Sequence, residues 1–266
     1  MRENILELLQ IKEKIPSIHP HELFHIGFLS FSSSTMMAIL GVILFSILAI
    51  RISSFKLLPN KFQIIVEDIV TFVYNFVVQI IGDESRARKI MPFVGAVFMF
   101  ILFANLISLI PLISSITLNG HEVFTASTAD FNTTFALALA SVVIINLNSI
   151  FENGLFSHLG HFIQIKPIIT GFKKSIGDGF LAIVNFFVGL IEIIGEIAKI
   201  ISLSLRLFGN MFAHEVLSII LLGAFSIGVP AIWMGMGILV GVVQAVVFTA
   251  LITVYYSLTI KTKVAH

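Results

Sequence analysis

The sequence predicts an all-α polytopic membrane protein, with about five membrane-embedded helices plus one interfacial amphipathic helix, the last two helices being long and tilted. Three observations carry that reading. Of 266 residues, 57% are apolar and only 12% are charged, against about 25% charged in a soluble domain. Mean hydropathy is +1.04. The apolar residues fall in continuous runs of roughly 20, the length that crosses a bilayer, whereas the strands of a membrane barrel alternate apolar and polar residues. The same composition excludes a soluble enzyme, a disordered chain and a nucleic-acid binder, since a net charge of +1 offers no basic surface. With no Cys there is no disulfide, thiolate metal site or cysteine nucleophile.

The chain reads as a single membrane domain over 1–266. Residues 1–30 form an N-terminal segment on the outer side. They hold acids, two prolines and three His without the charged-then-apolar order of a signal peptide. Residues 31–50 are the first transmembrane helix, with Arg51 just beyond. The stretch 60–82 differs, because Gln63, Glu67, Thr71, Asn75 and Gln79 recur every fourth residue, with Asp68 beside them. Such a stripe drifts slowly around one helical face and predicts a helix lying in the membrane interface.

Residues 91–113 form a clear span, interrupted by Asn105 and Ser108, with Pro111 near its end. A polar turn region at 114–132 leads to the span 133–151. Residues 152–177, with His158, His161 and three Lys, read as a loop with a short apolar insert. The helix-like segment within 178–225 would extend about 68 Å at 1.5 Å per residue, roughly twice the hydrocarbon thickness. It either breaks into two spans or runs strongly tilted. A last long helix occupies 229–260.

Basic residues orient the chain, because Lys and Arg gather on the cytoplasmic or matrix side. Arg51, Lys56, Lys61, Arg86, Arg88 and Lys89 fall between the first two spans, and Lys261 and Lys263 follow the last. Segments 114–132 and 226–230 contain neither Lys nor Arg and face the other side. Arg2, Lys12 and Lys14 run against this scheme, which has the N-terminus out and the C-terminus in.

The informative segment is IEIIGEIAKIISLSLRLFGNMFAHEV. Its residues Glu192, Glu196, Lys199, Arg206, Asn210 and His214 are spaced four, three, seven, four and four. At about 100° per residue they fall within an arc of roughly 80°, while Glu215 points elsewhere. A charge at mid-membrane costs about 2.5–3.5 kcal/mol on insertion scales, and such residues line ion pathways or meet a partner charge. The acids on the stripe of Arg206, Glu192 and Glu196, lie about 15–21 Å away along the axis, so its counter-charge points to another protein. Glu192, Glu196, His214 and Glu215 can titrate and relay protons; a guanidinium stays protonated. On the last helix, Gly237, Gly241, Gln244 and Phe248 share a face, with glycines that admit a close neighbour and an amide that needs a partner.

These residues resemble subunit a of the F-type rotary ATP synthase. SLSLRLFGNM, with Arg206 and Asn210, is similar to the arginine motif of that family. QAVVFTALITVYYS, from Gln244, resembles its final-helix motif. FILFANLISLIP and TADFNTTFALALA resemble the segments that end one helix and begin the next. The resemblance covers roughly residues 31–258.

It implies proton translocation through two half-channels against a ring of c subunits. Arg206 is then the arginine that acts on the ring carboxylates, Asn210 its neighbour and Gln244 the facing amide. Glu192, Glu196, Lys199, His214 and Glu215 complete the proton pathway. His214 stands where the family commonly has glycine and Gly237 where some members have histidine, and the two changes are read as linked. Ala198-Lys199-Ile200 lacks the proline frequent there, which removes the expected kink.

The resemblance further implies peripheral-stalk b subunits, an indirect link to the soluble ATPase sector, and a bacterial inner membrane or, alternatively, a mitochondrial one. It implies no catalytic residue, cofactor or metal in this chain, and no GxxxxGK[ST] phosphate loop is found. The alternative from another class is an ion channel or secondary transporter with a charged intramembrane pathway. A metalloenzyme built on His19, His21 and His25 or on His158 and His161 is the third reading; it lacks an HExxH spacing.

Overall fold

The structure, a computed structural model, describes residues 22–26, 29–53, 61–110, 116–118, 121–153, 176–224 and 228–261. The histidines at 19, 21, 158 and 161 lie outside these residues, as do most of the N-terminal segment and the 152–177 loop. Among the described residues, six helices are long and apolar enough to cross a membrane. The chain is a multi-pass membrane protein of all-α class, with two short hairpins, one before the first described helix and one between later helices. It divides into two compact units, one of residues 1–134 and 205–254, the other of 135–204 and 255–266.

In the first unit, β1 (Glu22–Ile26) pairs antiparallel with β2 (Leu29–Ser32). Helix α1 (Ser33–Ser53) follows at once. It starts after Ser32, whose hydroxyl accepts the Thr35 backbone N–H at 3.3 Å, an N-cap bond that fixes the helix start. Helix α2 (Lys61–Ile81) is amphipathic. Val66, Val73, Val77 and Ile81 are buried along one face, and Glu67, Asp68, Thr71, Asn75 and Gln79 are exposed. Gly82, at φ 75, ends it in a conformation that favours glycine.

Helix α3 (Glu84–Ser108) begins seven residues before the apolar run that announces it in the sequence. The reason is Asp83, whose carboxylate accepts the N–H groups of Ser85 and Arg86 at 2.9 and 3.4 Å. This cap makes the charged stretch through Lys89 helical before the membrane-depth residues begin. The helix ends in tightened bonds, Leu109 N–H to Leu106 and Ile110 N–H to Ile107. Ile90, Val94, Phe98, Ile101 and Asn105 are buried on it.

The predicted turn region holds a hairpin, β3 (Thr117–Leu118) with β4 (His121–Glu122), and a 3-10 turn (Ser127–Ala129). Asp130 follows and caps helix α4 (Phe131–Asn153). Its carboxylate, 5% exposed, accepts the Asn132 N–H at 3.1 Å and the hydroxyls of Thr133 at 3.0 Å and Ser34 at 2.7 Å.

Helix α5 (Ile176–Ala224) is one continuous helix of 49 residues. The alternative of two separate spans is set aside: the helix runs unbroken through Gly189, Gly195 and Gly209 and contains no proline, with Ile200 where one was expected. Helix α6 (Gly228–Lys261) has 34 residues. In the second unit, α4 buries Ala138, Ser141, Val142, Ile145 and Ser149, a helical stripe of small and branched residues. On α5 in that unit, Ile191, Ile194, Ile197 and Ile201 are exposed.

Candidate functional site

In the first unit, the C-terminal half of α5 and the middle of α6 supply the predicted polar residues. Arg206 and Asn210 are exposed on α5, one helical turn apart. Leu207 and Met211, between and beside them, are buried. Asn210 turns its amide to α6, where its Nδ2 donates to Oε1 of Gln244 at 2.7 Å. Gln244 is 3% exposed, and this bond answers for its acceptor. Its Nε2 has no acceptor among the described residues.

One turn further on, His214 is 8% exposed. Its ring stacks on Trp233 of α6 with centroids 5.2 Å apart and planes 15° from parallel. Nε2 lies 3.4 Å from the Trp233 carbonyl, a bond in which the imidazole N–H donates. Trp233 Nε1 in turn donates to the His214 carbonyl at 3.3 Å, and the Ser218 hydroxyl donates to that carbonyl at 2.8 Å. Nδ1 of His214 stands 3.5 Å from the Ser218 hydroxyl.

The two glycines of α6 make room for this. A Cβ at Gly237 would overlap Nε2 of His214 and lie 2.6 Å from its Cε1. A Cβ at Gly241 would come within 3.0 Å of Asn105 Cβ. Helix α3 therefore approaches α6 closely at Gly241, and Asn105 Nδ2 donates to the Gly241 carbonyl at 3.1 Å. Oδ1 of Asn105 accepts the Thr128 hydroxyl at 2.8 Å. Asn105 is fully buried, and this chain satisfies it, as a polar group at that depth requires.

In the second unit, Lys199 and Glu196 form an ion pair one turn apart on α5, with side chains 24% and 21% exposed. Asn146 of α4 donates to Oε2 of Glu196 at 3.3 Å. The Lys199 ammonium lies 5.2 Å from the centre of the Tyr255 ring, a cation–π contact. Glu192 is half-buried in this unit, and Glu215 half-buried in the first.

The sequence profile of the family described as ATP synthase A chain matches residues 32–257. The chain belongs to that family. Subunit a of ATP synthase from Desulforamulus reducens is 35% identical over 208 residues, covering 75% of this chain and 67% of that one. ATP synthase subunit a 1 from Pelobacter propionicus is 36% identical over 221 residues, 83% of each chain. ATP synthase subunit a from Moorella thermoacetica is 30% identical over 239 residues, 90% of this chain and 95% of that one.

For this ATP synthase A chain family member, the predicted face of Gly237, Gly241, Gln244 and Phe248 is buried throughout. Of the predicted polar residues, Asn210 and Gln244 are brought together, and so are Glu196 and Lys199. Sequence reasoning did not anticipate Trp233 as the partner of His214, nor the buried chain from Thr128 through Asn105 to Gly241. The signal for the second was present: Asn105 and Thr128 stand inside the two motifs quoted for their resemblance.

Proposed function

We propose that the chain translocates protons in the membrane sector of a bacterial ATP synthase, forming two half-channels against a ring of c subunits. The observation that carries this is Arg206, a guanidinium exposed on the middle of a long apolar helix, with Leu205 exposed next to it. A permanent charge exposed on an apolar face can meet an anion presented from outside the chain. A carboxylate on each subunit of a passing ring supplies one. An adjacent Arg lowers a carboxyl pKa by about 1–3 units, so Arg206 favours the ionised ring site and keeps protons from leaking between the half-channels.

The remaining residues take roles around it. Gln244, whose Oε1 is held by Asn210, is the amide that faces the arginine. His214 and Glu215 belong to the outer half-channel. The imidazole, seated against Gly237, does from α5 what a histidine on the last helix does elsewhere in the family. Glu192, Glu196 and Lys199 form the continuation of the pathway. Helix α2 lies in the interface, with its polar stripe toward water. Peripheral-stalk b subunits hold the chain against rotation, and nucleotide chemistry belongs to the soluble sector.

Cross-linking tests the ring contact. The chain contains no Cys, so Leu205→Cys creates a unique handle next to Arg206. Oxidation with single cysteines introduced near the ring carboxylate is expected to join the two subunits in the intact complex. A cysteine there that joins only peripheral-stalk subunits would refute the reading.

A further inference from the structure

A cavity of about 510 Å³ lies between α1, α2 and α3 in the first unit, away from the polar site. That size falls within the range of ligand pockets, about 300–1,000 Å³. Its shaft is apolar, formed by Phe45 of α1, Val66 and Val73 of α2, and Met91 and Met99 of α3. Small residues open it, namely Ala49, Gly95 and Ala96. Methionine side chains adapt to an irregular chain better than branched ones do. Only two polar-tipped residues line it, Arg88 and Tyr74. Both belong to the same end, because Tyr74 Oη donates to Oε1 of Glu84 at 3.1 Å and Arg88 reaches that oxygen at 3.2 Å.

Two features fix the kind of occupant. From Arg88 to Met99 the wall of α3 rises about 16 Å, roughly half of the ~30 Å hydrocarbon thickness. The cavity therefore spans one leaflet. Its polar end lies in the stretch that carries Arg51, Lys61, Arg86, Arg88 and Lys89, the basic side of the membrane. An apolar shaft one leaflet long with a cationic end is complementary to an amphiphile with an anionic head. Basic pockets between membrane helices on that side suit such headgroups.

We propose that this cavity holds one acyl chain of an anionic phospholipid of the basic-side leaflet, with its phosphate on Arg88. The existing Arg88–Glu84 pair does not block this. Its side chains are 77% and 66% exposed, and an exposed pair of this kind is weak. A guanidinium has five donors and serves a phosphate and a carboxylate together. The lipid then fills the space between the interfacial helix and the first two spans, and ties α2 to the membrane surface.

The test uses the intact complex in phosphatidylcholine vesicles containing phosphatidylglycerol, with a photoactivatable group near the acyl terminus of either lipid. Labelled peptides are mapped by mass spectrometry. The phosphatidylglycerol probe is expected to label the 91–99 segment several-fold more than the phosphatidylcholine probe. Arg88→Gln should erase that headgroup preference. Ala96→Phe should abolish labelling by filling the shaft, and Ala49→Phe does the same from α1 if the first variant fails to assemble. Equal labelling by both lipids, labelling indifferent to the blocking variants, or cross-links from this segment to a helix of another subunit would each overturn the proposal.

Discussion

The imidazole of His214 occupies the volume that any side chain at residue 237 would need: a Cβ there would overlap Nε2 and lie 2.7 Å from Leu109 Cδ2. The two positions sit on different helices and are coupled through one space. Gly237→Ala is therefore expected to destabilise the protein by about 1–3 kcal/mol, the usual effect of overpacking, despite alanine's better helix propensity. His214→Ala should relieve most of that loss. Thermal unfolding of the purified complex for the two single variants and the double variant reads the coupling, and additive losses would show that the ring does not fill the space.

The Asn210–Gln244 bond joins α5 to α6 at 2.7 Å. Interhelical hydrogen bonds in membranes average about 0.6 kcal/mol and reach about 1.7. A double-mutant cycle with Asn210→Leu and Gln244→Leu is expected to give a stability coupling in that range. Gln244→Leu should depress proton pumping by more than this small loss of stability explains, because it also removes the buried Nε2 amide group.

Much of this site was legible in the sequence, and the reason is periodicity. The stripe from Glu192 to His214 needs only the helical repeat, and the glycine face of the last helix follows from the same rule. What was not legible depends on separations the repeat does not encode. Trp233 is 19 residues from His214, and Gly241 is 136 from Asn105. The start of α3 was missed because an apolar window ignores capping, although Asp83 before a charged turn is a start signal. The hairpin β3–β4 carried its own mark in Asn119-Gly120 between the paired residues Leu118 and His121.

Glu196 and Lys199 form a half-buried pair in the second unit, so neutralising one leaves the other charge without its partner. Lys199→Met and Glu196→Gln should each lower stability. Combined, they should recover a coupling on the order of 0.5–3 kcal/mol, as contacting residues do. Thermal melting of the complex carrying each variant gives the cycle directly.

Asp130 both caps α4 and receives the Ser34 hydroxyl. Asp130→Ala is expected to cost about 0.5–2 kcal/mol through the cap alone, with a further loss from the broken bond to the Ser34 hydroxyl. Asp130→Asn keeps an acceptor oxygen and should lose less. Rates of limited proteolysis, compared among wild type and both variants, rank the three.

The central claim is that Arg206 acts on the ring, and ATP-driven proton pumping in inverted membrane vesicles tests it most directly. Wild type and Arg206→Ala are compared, with ATP hydrolysis and subunit stoichiometry followed in the same preparations. The account predicts an assembled complex that hydrolyses ATP and builds no proton gradient. An assembled Arg206→Ala complex that pumps at the wild-type rate would contradict it.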